Sequence, residues 1–133
     1  MGKANDCSMT ETNTLVGNVR HIDCACVFDS GDASFSKAIA TKFEGVLLHL
    51  CTNPGSVAPD ANYDITLLDA LGADRLGGSG ANRHTSNNEV ANVVYSSTSV
   101  HPVVDEDDEL TLTFTGNTTV SALVALSLYY QVP

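Results

Sequence analysis

The sequence predicts an all-β fold, a sandwich or jelly-roll of about seven to eight mainly antiparallel strands. Apolar side chains recur at every second position in several segments, which is the period of a strand that buries one face. Glycine, proline, asparagine and aspartate cluster between these segments at spacings of about eight to twelve residues, as turns do between short strands. No segment has the apolar period and the caps of an amphipathic helix.

Length and charge narrow the classes of partner. A chain of 133 residues is one domain and can bury a core without disulfides or metals. Six Lys plus Arg against sixteen Asp plus Glu give a formal net charge of −10, which repels nucleic acid and anionic membranes. No apolar run is long enough to span a bilayer, and the first residues lack the apolar core of a signal peptide. We expect a soluble protein with no nucleic acid and no membrane as partner.

The first half of the chain reads as an arm followed by strands. Residues 1–13 are polar and lack periodicity, so we expect a flexible N-terminal arm ahead of a single β domain at residues 14–133. Residues 20–28 alternate as a first strand, whereas residues 33–42 fit a short helical turn as well as a strand. Residues 43–51 hold an apolar run of strand length that ends at a proline-glycine turn, which predicts a buried strand.

Further strands follow around a glycine-rich loop. Residues 63–68 alternate as a strand, and residues 90–95 are another strand candidate. The glycines of residues 77–80 invite a phosphate-binding interpretation, but they lack both the Lys-Ser/Thr of a P-loop and the dinucleotide spacing. We expect this loop to let the chain cross between sheets, with the polar residues 82–88 as its continuation.

Residues 110–130 predict two long strands folded back on each other around Gly116-Asn117. The first arm alternates apolar residues with threonine, so it has one face suited to water. The second arm is largely apolar on both faces, as expected of a strand that lies centrally or against a second subunit. The side chains on its second face are the candidate subunit-interface residues: Leu123, Ala125 and Tyr129.

The histidines and serines do not form a recognisable catalytic pattern. The sequence has no Gly-x-Ser-x-Gly elbow and no His-Glu-x-x-His. Each histidine lacks a second histidine, cysteine pair or carboxylate at useful spacing: His21, His49, His84 and His101. We predict no enzymatic activity and no cofactor. The competing hypothesis is a hydrolase with a dispersed site built from the histidines and carboxylates.

Cysteines and clustered carboxylates are the remaining candidates for chemistry. Cys7, Cys24, Cys26 and Cys51 read as free thiols in a reducing cytoplasm, or as a Cys51 disulfide to Cys24 or Cys26, with metal binding the least favoured. The acidic run at residues 105–109 offers oxygens to calcium, but contiguous carboxylates cannot all point at one ion. We expect a solvated loop whose charge keeps that edge from pairing with other sheets, and no bound metal.

Two parts of the chain resemble small virion structural proteins of tailed bacteriophages. The first is PGSVAPDANYDITL at residues 54–67, continued by LGADRLGG at residues 71–78. The second is LTLT at residues 110–113, with Gly116-Asn117 and the closing Leu128-Tyr129-Tyr130. The likeness lies between residues 43 and 130, and its motifs are structural. The cysteines depart from the pattern, which leaves cross-linking open.

The resemblance implies a role in the virion. It implies a capsid decoration or cement protein that is made in the host bacterial cytoplasm and sits on the exterior of the assembled shell. The implied partners are the major capsid protein, bound at junctions between capsomers, and further copies of the chain in a homo-oligomer, with a trimer favoured. No catalytic residues come with it. The alternative is a tail or receptor-binding component that uses the loop at residues 77–88.

Overall fold

The structure is a computed structural model that describes residues 6–40, 42–95 and 98–133, the stretch 6–16 by its backbone alone. This part of the chain contains nine strands and no helix, so the all-β prediction is confirmed. The ambiguous segment 33–42 contains a strand. The strands are β1 Asp6–Val16, β2 Val19–Val27, β3 Phe35–Ala38, β4 Gly45–Pro54, β5 Asp64–Leu68, β6 Glu89–Asn92, β7 Val103–Val104, β8 Thr111–Thr115 and β9 Leu123–Gln131.

The strands form two antiparallel sheets. The large sheet has the order β1-β2-β9-β4-β6, with β7 also paired to β4, and the small sheet has the order β3-β8-β5. From β2 onward the chain passes back and forth between them: β2, β4, β6, β7 and β9 lie in the large sheet, and β3, β5 and β8 in the small one. Two packed antiparallel sheets that exchange strands in this way form a β-sandwich.

One apolar core fills the space between the sheets. Alternate side chains of β9 are almost fully buried, and they meet the inward side chains of β2, β4, β5 and β8 in a single cluster. Aromatic rings join the two layers: Phe28, which follows β2, lies 5.0 Å from both Phe35 and Phe114 of the small sheet, between ring centroids. The alternation in the sequence therefore reports burial between sheets.

The hairpin predicted for residues 110–130 is wrong. β8 pairs with β3 and β5, whereas β9 pairs with β2 and β4, so the two arms lie in opposite sheets. Asp60 holds the crossing segment, because its carboxylate accepts hydrogen bonds from the Thr118 backbone N–H and from the hydroxyls of Thr118 and Thr119. Alternation is the same in a hairpin and in two strands that face each other across a core, so the sequence pattern could not separate them.

Most of the predicted N-terminal arm lies in a strand. Residues 6–13 of the expected arm lie in β1, which runs antiparallel to β2 with Asp6 opposite Val27 and Thr12 opposite His21. An edge strand is held by backbone pairing, which the side-chain pattern does not report. Residues 1–5 of the arm lie outside the described residues.

The glycine-rich loop crosses between the sheets, as predicted, and also completes the small one. Residues 69–88 lead from β5 in the small sheet to β6 in the large sheet. On the way, the Ile65 N–H donates to the Gly80 carbonyl at 2.9 Å and the Arg83 N–H donates to the Tyr63 carbonyl at 2.8 Å. A Cβ on Gly80 would collide with the Ile65 carbonyl oxygen, so glycine is needed for this close approach.

Candidate interaction surface

The outward side of the large sheet is the candidate functional site. Residues paired across neighbouring strands project on the same side, so the strand register defines one continuous surface. We call it the outer face, and it consists of Val19, His21, Asp23, Ala25 and Val27 of β2; Leu123, Ala125, Ser127, Tyr129 and Gln131 of β9; Val46, His49, Cys51 and Asn53 of β4; and Val90 and Asn92 of β6.

All three predicted interface residues lie on the outer face. They belong to β9, the strand between β2 and β4, so they are close to the middle of the surface. Ala125 is exposed, and Leu123 and Tyr129 are half-buried by their neighbours on the adjoining strands. Their placement agrees with the alternation in the sequence. Their role in a subunit interface stays a prediction.

One end of the outer face is aromatic. The His21 ring stacks on Tyr129 at 4.9 Å and 25°, and the His49 ring meets Tyr129 edge-on at 6.5 Å and 62°. Tyr129 pairs with His21 on one side and with His49 on the other, where an irregularity in β4 between Leu47 and His49 sets the register. Burial by these neighbours, with the negative groups of Cys51 and Asp23 nearby, raises the pKa of the Tyr129 phenol.

The prediction that His21 and His49 are isolated is wrong. They are distant in sequence and converge only because β9 lies between β2 and β4. Both histidines point outward on strands that flank the same central strand, and this is the signal that could have indicated their contact with Tyr129. That signal needs the strand order, which alternation alone does not provide.

Ser127, His21 and Asp23 are in contact in the middle of the outer face. They are the residue types of a catalytic triad, but their hydrogen bonds differ from those of a triad. The Asp23 carboxylate accepts a hydrogen bond from the Ser127 hydroxyl at 2.6 Å, and His21 Nδ1 lies 2.8 Å from the same oxygen. In a nucleophilic site the hydroxyl donates to the imidazole, which removes its proton. Here it donates to the carboxylate, so the arrangement holds Ser127 in place.

The other end of the outer face is an apolar depression. It has a volume of about 280 Å³ and is lined chiefly by Ala25, Val27, Gly55, Leu123 and Ala125. Ala25 and Ala125 are paired directly across β2 and β9, and both are exposed. Small side chains in neighbouring strands therefore leave a hollow beside the larger Leu123 and Val27.

The outer face is nearly uncharged on a strongly acidic chain. Asp23 is the one Asp, Glu, Lys or Arg among its residues, whereas the whole chain has a formal net charge of −10. The outward side of the small sheet is different, because hydroxyls cover it: Ser36 and Thr113 lie 3.3 Å apart across β3 and β8, and Thr66 follows on β5. The two outward sides thus differ in the way that a partner-binding side and a hydrated side differ.

The remaining histidines organise loops. His84 Nδ1 accepts hydrogen bonds from the backbone N–H groups of Ser86 and Asn87, at 3.0 and 2.8 Å. His101 Nδ1 lies 2.6 Å from the Val93 carbonyl oxygen. Both contacts fix backbone geometry in connections between strands.

The Cys51 thiol is free, as predicted. Cys24 and Cys26 are buried in the core, whereas Cys51 lies on the outer face. Opposite sides of one sheet cannot be joined by a disulfide without moving the backbone. Partial burial raises the pKa of the Cys51 thiol, which disfavours the reactive thiolate. Cys7 belongs to the stretch described by its backbone alone.

The acidic run is tied to the rest of the fold through Arg75. The guanidinium donates to the Asp69 carboxylate at 3.0 Å, to the Asp108 carboxylate at 3.2 Å and to the Val103 carbonyl at 2.8 Å. The pKa of Asp69 is lowered, first by the hydrogen bond from the Ala73 backbone N–H and then by Arg75. Among the described residues, no three His, Cys, Asp or Glu side chains are grouped to hold a metal ion. The same residues include no helix of the length and apolarity that a membrane crossing requires.

The sequence matches no protein-family model and no curated protein. Among solved structures, the fold is similar to a chain described as a cyanophage Pam1 capsid asymmetric unit, with a TM-score of 0.42 and 16% sequence identity. The alignment covers 92% of this chain and 90% of that one.

Proposed function

We propose that this protein is a non-enzymatic structural component of a tailed-phage virion, which decorates the exterior of the capsid shell and cements it. The observation that carries the proposal is the outer face, a nearly uncharged and partly apolar surface on a chain with a formal net charge of −10. Such a surface favours a protein partner over water. The sequence resemblance between residues 43 and 130 supplies the virion as the setting.

The cementing role follows from multivalency. A shell filled with DNA is under internal pressure and is held by contacts between neighbouring capsomers. A small homo-oligomer, which the resemblance makes a trimer, binds several copies of the major capsid protein at a junction at once. Several weak contacts then act as one tight attachment. In this arrangement Leu123, Ala125 and Tyr129 belong to the subunit interface, and the acidic residues 105–109 face outward or meet a basic strip on the shell.

The proposal includes the absence of enzymatic activity, and the hydrogen bonds of the serine and histidine side chains support it. The Ser127 hydroxyl donates to Asp23 instead of to His21, and His84 and His101 contact loop backbone. We therefore assign the polar groups of the outer face to packing and hydrogen bonding.

The decisive experiment adds purified protein to shells that lack it. We expect saturable binding at a fixed ratio to the capsid protein, and a higher temperature of shell rupture than for undecorated shells. Because the contact with a basic strip is ionic, binding should weaken as salt is raised from about 0.05 to 0.5 M. Shells that neither bind the protein nor gain heat resistance would contradict the cementing role.

A tail or receptor-binding component is the second candidate, and the loop at residues 77–88 favours it. The tip of this loop, residues 86–88, is exposed and is held in one conformation by His84. Exposed loops on rigid scaffolds are common binding sites. A labelled antibody on purified virions separates the two candidates: label over the shell supports decoration, and label at the tail supports the alternative.

A further inference from the structure

We propose that the outer face pairs with the outer face of a second copy of this chain about a twofold axis, so that the Tyr129 end of each copy covers the apolar depression of the other. The proposal rests on the proposed function only where that function makes the outer face a subunit interface, and it departs from it in joining two chains there, where the resemblance favours three. It concerns the purified protein, and a shell is not needed to test it.

Charge permits self-association through this surface. Two copies, each with a formal net charge of −10, repel each other within about a Debye length, which is ~8 Å at physiological salt. The outer face carries one carboxylate, Asp23, and that carboxylate already accepts a hydrogen bond from Ser127 and lies beside His21. Two outer faces therefore meet at a lower electrostatic cost than two acidic surfaces.

The size of the outer face suits a pairing of two copies. It spans β2, β9, β4 and β6 and the nine residues of β9. With strands ~4.8 Å apart and ~3.4 Å per residue, and with β6 only four residues long, that surface is about 500 Å² on each copy. Two copies would remove about 1,000 Å² from water, which is about the least that a specific interface needs.

The shape of the outer face provides a projection and a hollow. Tyr129 and Leu123 mark the two ends of the surface and are six positions apart on β9, a separation of about 20 Å. The exposed Ala25 and Ala125 lie between them, and such small side chains let a second sheet approach to about 10 Å. A twofold axis that runs parallel to the two sheets, between them, and passes over β9 near Leu126 exchanges the two ends, so each tyrosine faces the depression of the partner.

Tyr129 is suited to anchor the contact. Its ring is fixed between His21 and His49, so little conformational entropy is lost when a second copy covers it. The depression has a volume of about 280 Å³, which equals the share of several liquid waters at ~30 Å³ each. An aromatic ring that displaces this water gains from the apolar lining, and the twofold axis provides the contact twice.

This symmetry predicts the oligomeric state. A contact of a surface with its own copy closes with two chains, so the solution unit is a dimer. A trimer would need a contact between two different surfaces, and a trimer as the only species in solution would overturn the proposal.

Sedimentation velocity on a matched pair of variants gives the first test. We expect the wild-type chain at tens of micromolar to sediment at twice 14.0 kDa. Ala125→Lys places an ammonium group at the centre of the outer face and should sediment as a monomer. Thr113→Lys places the same group on the central strand of the small sheet, on the hydroxyl-covered side, and should stay dimeric. A monomeric wild type, or a dimeric Ala125→Lys, would refute the pairing.

Thiol cross-linking tests the orientation, and it does not depend on how well Ala125→Lys folds. Leu123→Cys and Tyr129→Cys are made separately in a background with Cys7→Ser and Cys51→Ser. After treatment with a bis-maleimide that spans about 10 Å, the distance between packed sheets, a covalent dimer should form when the two variants are mixed and should be absent when either is alone. Cross-linking of Tyr129→Cys with itself, or none in the mixture, would overturn the arrangement. Neither result depends on shells, so a failure of shell binding alone would affect only the proposed function.

Discussion

Tyr63 shows how a single polar group in the core responds to its surroundings. Its ring is fully buried and stacks at 5.9 Å on Phe114, between the two sheets. Burial raises the pKa of its phenol to about 12, and the Thr52 hydroxyl opposes this shift in part. A raised pKa means that the folded state holds the proton more tightly than the unfolded state does.

The alkaline stability of the protein should therefore depend on Tyr63. The stabilisation by the neutral phenol is complete below the unfolded pKa of about 10 and is lost as the pH rises toward about 12. We expect Tyr63→Phe to flatten the fall in melting temperature over this window. Tyr95→Phe, at an exposed tyrosine, is the control and should keep the wild-type slope. Equal slopes for all three proteins would contradict this assignment.

Gly80 gives a second prediction at the same scale. A Cβ at this position meets the Ile65 carbonyl oxygen, a backbone atom that cannot move aside cheaply. Gly80→Ala should lower the free energy of unfolding by about 1–3 kcal/mol, as overpacking does. Gly31→Ala, where the nearest atom is a side-chain oxygen at 3.5 Å, should change it by less than about 0.5 kcal/mol. Urea denaturation of the two variants tests the difference, and equal losses would argue against the close approach.

Some features of β9 could be predicted from the sequence, and others could not. Alternation identified both of its faces, including the outward positions of Leu123, Ala125 and Tyr129, because alternation depends on neighbours in the chain. Its partners β2 and β4 are far away in sequence, and their pairing depends on which arrangement buries the most apolar surface. The same limit explains why the predicted hairpin with β8 was wrong and why the contact of His21 with Tyr129 was missed.

Two leucines on β9 test the assignment of its faces. Leu128 is 1% exposed in the core, so Leu128→Ala should lower the free energy of unfolding by about 2–5 kcal/mol. Leu123 lies on the outer face, so Leu123→Ala should cost under about 1 kcal/mol in the monomer. Urea denaturation at a protein concentration low enough to keep the chain monomeric makes the comparison. A larger loss for Leu123→Ala would reverse the assignment.

At the scale of the whole molecule, the separation of charge predicts two opposite responses to salt. Self-association joins two acidic molecules through a nearly neutral surface, so screening of their repulsion should strengthen the dimer. Attachment of the acidic residues 105–109 to a basic strip should weaken under the same conditions. Sedimentation and shell binding, measured over the same salt series, test both responses. A dimer that dissociates on addition of salt would indicate an ionic interface and would contradict the use of the outer face.

The position of β9 after both of its partner strands also constrains synthesis. β2 and β4 have no pairing with each other in the large sheet, because β9 lies between them. While residues 123–131 remain inside the ribosome, neither strand has its central partner. The domain therefore cannot complete its fold until these residues have emerged, and distant segments then have to find each other slowly. A nascent chain of this kind exposes unpaired strands until β9 emerges, which favours aggregation during that interval.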